Sequence, residues 1–541
     1  MTTTIEFEKK TKALIDDLKS VCANYGLGND GNEFKIITQV FLYKFMNDKF
    51  IHEVKKADDS LAKDDNLDEA LSKMSTDDYQ MLEMQLDENT ALLRSEHFIT
   101  SLFHRQNEDN FANIFDNTLL SIAALNSDIF SVMTEGGEKI VLFENLSKYV
   151  TDKRDDFCKA IINKLVNFSF EHIFHEKFDF YATIFEYLIK DYNTNSGGKY
   201  AEYFTPHAVA KIMARCLVKE DVQNVTCYDP SAGSGTLLMN LAHQIGEDKC
   251  TIYSQDISQK SSNLLRLNLI LNDLVHSVPN IVKGNTVIEP YHKENGELKK
   301  FDYIVSNPPF KLDFSDYRDD LDTKENNERF FAGIPNIPKA SKDSMAIYLM
   351  FLQHIIFSLK EDTGKAAIVV PTGFITAQSG IDKRIRQKLV EERMLAGVIS
   401  MPSNIFATTG TNVSMLFLDA TNKDEVVLID ASRLGTKIKE GKSQKTVLSY
   451  SDEETIIETF NKKEIKDDFS VVVSYDEIKA KNLSLSAGQY FQVKIDYNEI
   501  SHSEFSELME GHESRLSELF AKSSVLESRI IKNIKSMNYD N

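Results

Sequence analysis

Residues 224–242 read NVTCYDPSAGSGTLLMNLA, and this stretch decides the fold. Val225, Thr226 and Tyr228 are the β-branched and aromatic residues of a strand. Gly233 and Gly235 punctuate a turn, and TLLMNLAHQI (236–245) has the apolar spacing of a helix. A strand that passes through a glycine turn into a helix opens a doubly wound α/β sheet. The glycines let the backbone approach a ligand closely, beside the N–H groups of the helix N-terminus. The dinucleotide fingerprint G-x-G-x-x-G is not met, because Leu238 stands at the third glycine's place. The loop suits a smaller nucleoside carrying an amino-acid group better than a pyrophosphate.

Outward from this unit, short apolar runs alternate with helical patterns. Strands are expected at 224–229, 251–255, 280–284, 301–306, 366–371, 395–400 and 414–420, and helices at 236–245, 258–272, 345–359 and 381–392. That alternation predicts a parallel α/β sheet. The second strand ends at Asp256, 27 residues after Asp229, where an acidic side chain accepts a ribose diol. Glycine loop and acidic strand tip together point to a cofactor containing adenosine. Asn285, just after the third strand, is placed to touch an adenine. Upstream, in GGKYAEYFTPHAVAKIM, Thr205 reads as an N-cap and Pro206 as the first helical residue. Capping leaves Tyr203 and Phe204 unexplained, and they are expected to wall the cofactor pocket.

The fourth strand, FDYIVS, ends in Asn307-Pro308-Pro309-Phe310. Two prolines cannot donate to a ladder, so the strand stops there, at the carboxyl edge where open α/β sheets bind ligands. An exocyclic amino group is a poor nucleophile while its lone pair is delocalised into a base. The Asn307 amide oxygen and the Pro308 carbonyl are each able to accept one of its N–H bonds, favouring the pyramidal, positively charged form that develops during attack. Phe310 offers a face for a planar, extruded base. His207 and His354 are not required as bases and read as structural or pocket-lining.

At 541 residues the chain is expected to hold more than one domain. It is divided here into an N-terminal helical domain (1–165), a central α/β domain (166–475) and a C-terminal region (476–541). In the first, Phe34, Ile37, Phe41 and Phe45 form one helical stripe. In the last, Phe505, Leu508, Leu516, Leu519, Leu526 and Ile530 mark an amphipathic helix that packs on its own domain or docks a partner. No run of 18 apolar residues and no apolar leader occur, so a cytoplasmic chain without a membrane span is expected. The five cysteines are scattered, without CxxC pairs, and read as reduced thiols. EHIFHE (171–176) lacks H-E-x-x-H spacing and a third ligand, so no metal is expected.

The net charge of −21 is the reverse of what a chain holding nucleic acid unaided carries. If nucleic acid is the substrate, a local basic face or a partner must supply the binding. DKRIRQK (382–388) is a local basic run, read as a solvated helix face.

The ordered set GGKYAEYFTPHAVAKIM, YDPSAGSGTLL, SQDIS, GNTV, FDYIVSNPPF, GKAAIVVPTGF, IRQKLVEERMLAGVISMPSNIF and YDEIKAKNLSLSAGQYF resembles the modification subunit of type I restriction-modification systems. These are adenine-N6 DNA methyltransferases. The resemblance covers most of the chain and implies a Rossmann-like class I methyltransferase sheet with an all-helical N-terminal domain and a C-terminal helical tail. It implies S-adenosyl-L-methionine as cofactor, held by Glu202, Tyr203, Phe204, Thr205, Pro206 and His207. Asp229, Ser231, Gly233, Ser234, Gly235, Thr236, Asp256 and Asn285 would complete the cofactor site. Asn307 to Phe310 would hold an adenine of DNA. The partners implied are a specificity subunit that reads the sequence and a restriction (motor and nuclease) subunit, with two copies of this chain per complex. Methylation of cytosine N4, an RNA base or a protein glutamine is compatible with Asn-Pro-Pro-Phe alone, as is a scaffold that only keeps the fold.

Overall fold

In the computed structural model, residues 2–28, 31–63, 67–174, 205–339, 341–406, 412–440, 443–491 and 501–536 are described. The seven apolar runs all form strands: β3 (Val225–Asp229), β4 (Cys250–Asp256), β5 (Ile281–Lys283), β8 (Tyr303–Ser306), β9 (Lys365–Pro371), β10 (Leu395–Ser400) and β11 (Val413–Asp419). The other strands are β1 (Val132–Thr134), β2 (Lys139–Ile140), β6 (Lys293–Glu294), β7 (Glu297–Leu298), β12 (Glu425–Asp430), β13 (Thr436–Glu440), β14 (Ser443–Val447) and β15 (Ser470–Ser474). Eleven of them join in one sheet of order β15-β12-β10-β11-β9-β8-β3-β4-β5-β1-β2. The crossover helices lie at Thr236–Ile245, Gln259–Leu271, Tyr348–Ser358 and Gly380–Glu391.

The sheet is mixed rather than wholly parallel. β8, β3, β4 and β5 pair in parallel, but β11 runs antiparallel between β9 and β10. Among the described residues between β10 and β11 there is no helix, and the chain re-enters the sheet in the opposite direction. β8, with every residue buried, sits beside β3 and carries Asn307 to the carboxyl edge next to the glycine loop.

Among its described residues the N-terminal region is helical apart from one hairpin, β1–β2, whose first strand pairs in parallel with β5. Strands of two or three residues are too short to leave a period-two signature, so only the pairing with β5 reveals them. The helix Gly31–Ala57 buries the predicted stripe, and Phe41 and Phe45 meet Phe170 edge-on at 5.2 and 5.6 Å. Buried Arg266, on a crossover helix, donates to the carbonyls of Ile140, Val141 and Leu142, tying this region to the sheet. Accordingly, residues to Tyr490 form one compact unit.

In that unit the basic run at 382–388 is a solvated face only in part: Arg384 and Gln387 are exposed, but Arg386 is not. Arg386 is fully buried and donates to the carbonyls of Phe374, Ala377 and Leu483, while Arg384 holds the Ala332 carbonyl. Guanidinium groups serve here as caps for irregular backbone, a use that a charge count cannot reveal.

The second unit, residues 491–541, contains the helix His502–Ser536, which carries the predicted apolar residues. All five cysteines are free and buried. Among the described residues no helix is long and apolar enough to cross a membrane, and no group of three or more His, Cys, Asp or Glu is arranged to hold a metal. Of EHIFHE, Glu171–Ile173 form one turn, and His175 and Glu176 lie outside the described residues.

Candidate active site

The glycine loop is tied down along its length. Gly235 caps the helix Thr236–Ile245 at φ +87°, and a Cβ there would lie 2.3 Å from Leu265 Cδ1, so only glycine fits. Thr286 Oγ1 donates to the Pro230 carbonyl (2.7 Å), and Asn268 Nδ2 donates to that of Ser234 (2.8 Å). Gly233 N–H donates to Asp256 Oδ2 (2.9 Å). The hydroxyls of Ser231 and Ser306 meet at 2.7 Å. That last bond joins the loop directly to the residue preceding Asn307.

Two carboxyl groups flank the loop. Asp229 is buried, and burial pushes its carboxyl up to about 8, against the opposing pull of the Ser231 N–H and the Ser306 hydroxyl. Nearby Asp256 adds to the rise. Burial also raises Asp256, opposed by the N–H groups of Ser258 and Gly233. A cation placed between them would relieve both.

At the other side of the site Asn307 is half-buried, Pro308 buried, Pro309 exposed and Phe310 half-buried. Asn307 Nδ2 donates to Thr205 Oγ1 at 3.2 Å. Thr205 is therefore not the predicted cap: the helix begins at His207, Pro206 occupies the cap position, and no side chain caps it. Proline at the cap brings no N–H of its own, and its carbonyl already accepts from Ala210 N–H (3.1 Å), which frees the threonine hydroxyl for Asn307. Phe310 meets Tyr348 edge-on at 6.2 Å, and Tyr348 in turn meets Phe374 at 6.3 Å and donates to Asp382.

Asn285 is occupied locally: its Oδ1 accepts from the N–H groups of Val287 (3.0 Å) and Ile288 (3.4 Å), and its own N–H goes to Glu135 Oε2 (2.7 Å). Ser234 and Thr236 bond through their hydroxyls at 3.1 Å. Glu202, Tyr203 and Phe204 lie outside the described residues. His354 belongs to the core, where its Nε2 meets the Tyr228 hydroxyl (3.2 Å) and its Nδ1 accepts from Arg329 Nε (3.0 Å). Burial and the guanidinium hold it well below the usual histidine range, hence neutral. Arg329 also grips the carbonyls of Thr286 and Val287. Sequence reasoning missed Ser306, Asn268 and Arg329. Only Ser306 had a local signal, as the residue directly before Asn307.

Residues 176–499, more than half of the chain, match the family described as N-6 DNA Methylase. A methylase subunit of the type I restriction enzyme MpnII of Mycoplasma pneumoniae is 28% identical over 361 residues, covering 64% of this chain and 63% of that protein. The corresponding HindI methylase subunit of Haemophilus influenzae is 23% identical over 440 residues, covering 77% and 93%. The crystal structure of a type I restriction-modification methyltransferase subunit from Streptococcus thermophilus superimposes with a TM-score of 0.66 at 23% identity, over 90% of this chain and 100% of that one. The chain thus spans under two thirds of the first relative and nearly all of the second.

Proposed function

The chain belongs to the N-6 DNA methylase family, and from that premise we propose that it transfers a methyl group from S-adenosyl-L-methionine to the N6 amino group of an adenine in DNA. The observation that carries this reading is the 2.7 Å bond between Ser231 and Ser306, which couples the glycine loop to Asn307. Donor cradle and amino-group acceptor are thereby held within one side chain's reach.

S-adenosylmethionine, when bound, supplies a sulfonium methyl that is already activated, so positioning is most of the catalysis. The residues fit such a ligand: Asp229, held protonated by burial, would ionise beside a bound cation and pair with it, and the loop from Ser231 to Thr236 presents backbone at a helix N-terminus. Each oxygen of Asp256 takes one backbone N–H, which leaves acceptor capacity for a ribose hydroxyl. Pro206 and His207, with Glu202, Tyr203 and Phe204, are assigned to the cofactor side, and Asn285 to the adenine end through its amide.

Thr205 belongs instead with the acceptor. By taking the Asn307 amide N–H it turns Oδ1 toward the incoming amino group. Oδ1 and the Pro308 carbonyl would then accept its two N–H bonds, the nitrogen lone pair would form the new N–C bond as the S–CH3 bond breaks and leaves the thioether S-adenosyl-L-homocysteine, and a proton would leave to water. Phe310, steadied by Tyr348, stacks on the extruded base.

We further assign the chain as modification subunit of a type I restriction-modification complex, with separate specificity and restriction subunits. The relatives are named as subunits of such enzymes, and a net charge of −21 calls for a partner in holding DNA. The helix His502–Ser536, with Leu508, Leu516, Leu519 and Leu526 exposed, is the assigned docking element. Nucleoside analysis of DNA from cells expressing the complex tests the reading. N6-methyladenine absent without the chain is expected; unmethylated DNA, or N4-methylcytosine instead, contradicts it.

A further inference from the structure

Two basic clusters in this acidic chain are used in opposite ways. Arg384 and Arg386 are spent inward on backbone carbonyls. Arg433, Lys437 and Lys439, at the root and on the first strand of the β13–β14 hairpin, are all exposed. Among the described residues none of these three forms an ion pair.

Topology puts the hairpin on the active-site edge. β12 runs parallel to β10, both β10 and β9 run antiparallel to β11, and β9 runs parallel to β8. The end of β12, from which the hairpin grows, therefore lies on the edge where β8 delivers Asn307. The arm is held firmly at its root. Leu434 and Leu448 pack into the core, and Thr446 donates its N–H to the Asn404 carbonyl (3.0 Å) and its hydroxyl to that of Ser403 (2.6 Å). Gly435, at φ +82°, has room for no side chain, since a Cβ would lie 2.8 Å from Thr446 Cγ2.

We propose that this hairpin is a DNA-backbone clamp: Arg433, Lys437 and Lys439 contact phosphates of the duplex flanking the target base. The proposal rests on duplex DNA being the substrate. Four strand spacings separate β12 from β8, about 19 Å at about 4.8 Å each. At about 3.4 Å per base pair, that reaches phosphates about five to six base pairs from the extruded base. Lys437 and Lys439 share one face of the strand, about 6.8 Å apart, and reach successive phosphates. Contacts of this kind fix the position of the duplex and carry no sequence information, which leaves reading to a partner.

The test replaces Arg433, Lys437 and Lys439 together by Gln in the full-length chain and measures binding of short duplexes between about 50 and 200 mM salt. Affinity is expected to fall about tenfold or more, equally for unrelated sequences, with the salt slope reduced by about 2.7, or about 0.9 for each phosphate contact. S-adenosylmethionine affinity is expected to stay unchanged, reporting an intact fold. Equal duplex affinity of variant and parent, including no binding by either, overturns the proposal. So does an equal loss when exposed Lys9, Lys73 and Lys153 are changed to Gln, since net charge rather than place would then account for it. A hairpin-dependent affinity in a protein that forms no N6-methyladenine would sustain the clamp and refute the methylation reading, so the two fail separately.

Discussion

The two halves of the site are built on opposite plans. On the donor side the glycine loop is fastened at Pro230, Ser231, Gly233 and Ser234 by four separate partners, and Gly235 admits no side chain. On the proposed acceptor side Asn307 has, among the described residues, a single side-chain bond, Pro309 is exposed, and Phe310 is half-open. A small flexible cofactor is best held by a cradle that costs no reorganisation, whereas a base swinging out of a duplex needs an entrance. Rigidity therefore belongs to one half and access to the other.

The largest effect is expected where only the acceptor half is touched. Asn307→Ala removes the amide oxygen proposed to orient the amino group and should slow methyl transfer about 10²–10³-fold, by the measure of losing one preorganised polar contact in a transition state. Single-turnover methylation checks this, and near-normal transfer would assign the orienting role elsewhere.

The donor half is probed through pH. A carboxyl raised to about 8 keeps its proton at neutral pH, and binding a cation there expels it. Cofactor affinity should then climb with pH, about tenfold per unit below about 8, and level off above. Asp229→Asn should flatten the profile. Stability follows from the same shift. The unfolded carboxyl loses its proton near its ordinary value while the folded one retains it, so stability is fully present at acid pH and declines as pH rises toward 8. Thermal melts of parent and Asp229→Asn across that range check the slope.

Thr205 sits where the halves meet, so it sharpens the comparison. Thr205→Ala should lower kcat about tenfold, the upper range for one hydrogen bond, leave the KM for S-adenosylmethionine nearly unchanged, and be rescued by Thr205→Ser. A rise in that KM alone would return Thr205 to the cofactor side. The smallest effect is expected at Asn285, whose Oδ1 closes a local turn: Asn285→Ala should cost about 1 kcal/mol of stability, read as a drop of about 1 °C in Tm.

What the sequence discloses follows from range. Seven strands and four crossover helices are legible because each is a continuous local pattern, and the glycine loop and Asn307 are legible because residues adjacent in the chain share the work. β1 and β2 are silent, since five residues cannot set a period, and they join the sheet only through the pairing of β1 with β5. The antiparallel course of β11 depends on a connection rather than on the strand itself. Local sequence offers Thr205 as a cap because its partner in the fold lies 102 residues away. Arg386 looks solvated in the sequence because nothing near it announces the three carbonyls it collects.

The division of labour is tested most directly by titrating Asn307→Ala with S-adenosylmethionine in a calorimeter beside the parent chain. Equal affinity, in a protein whose methyl transfer has collapsed, is the expected result. A loss of cofactor affinity matching the loss of transfer would contradict it, because Asn307 would then belong to the donor cradle.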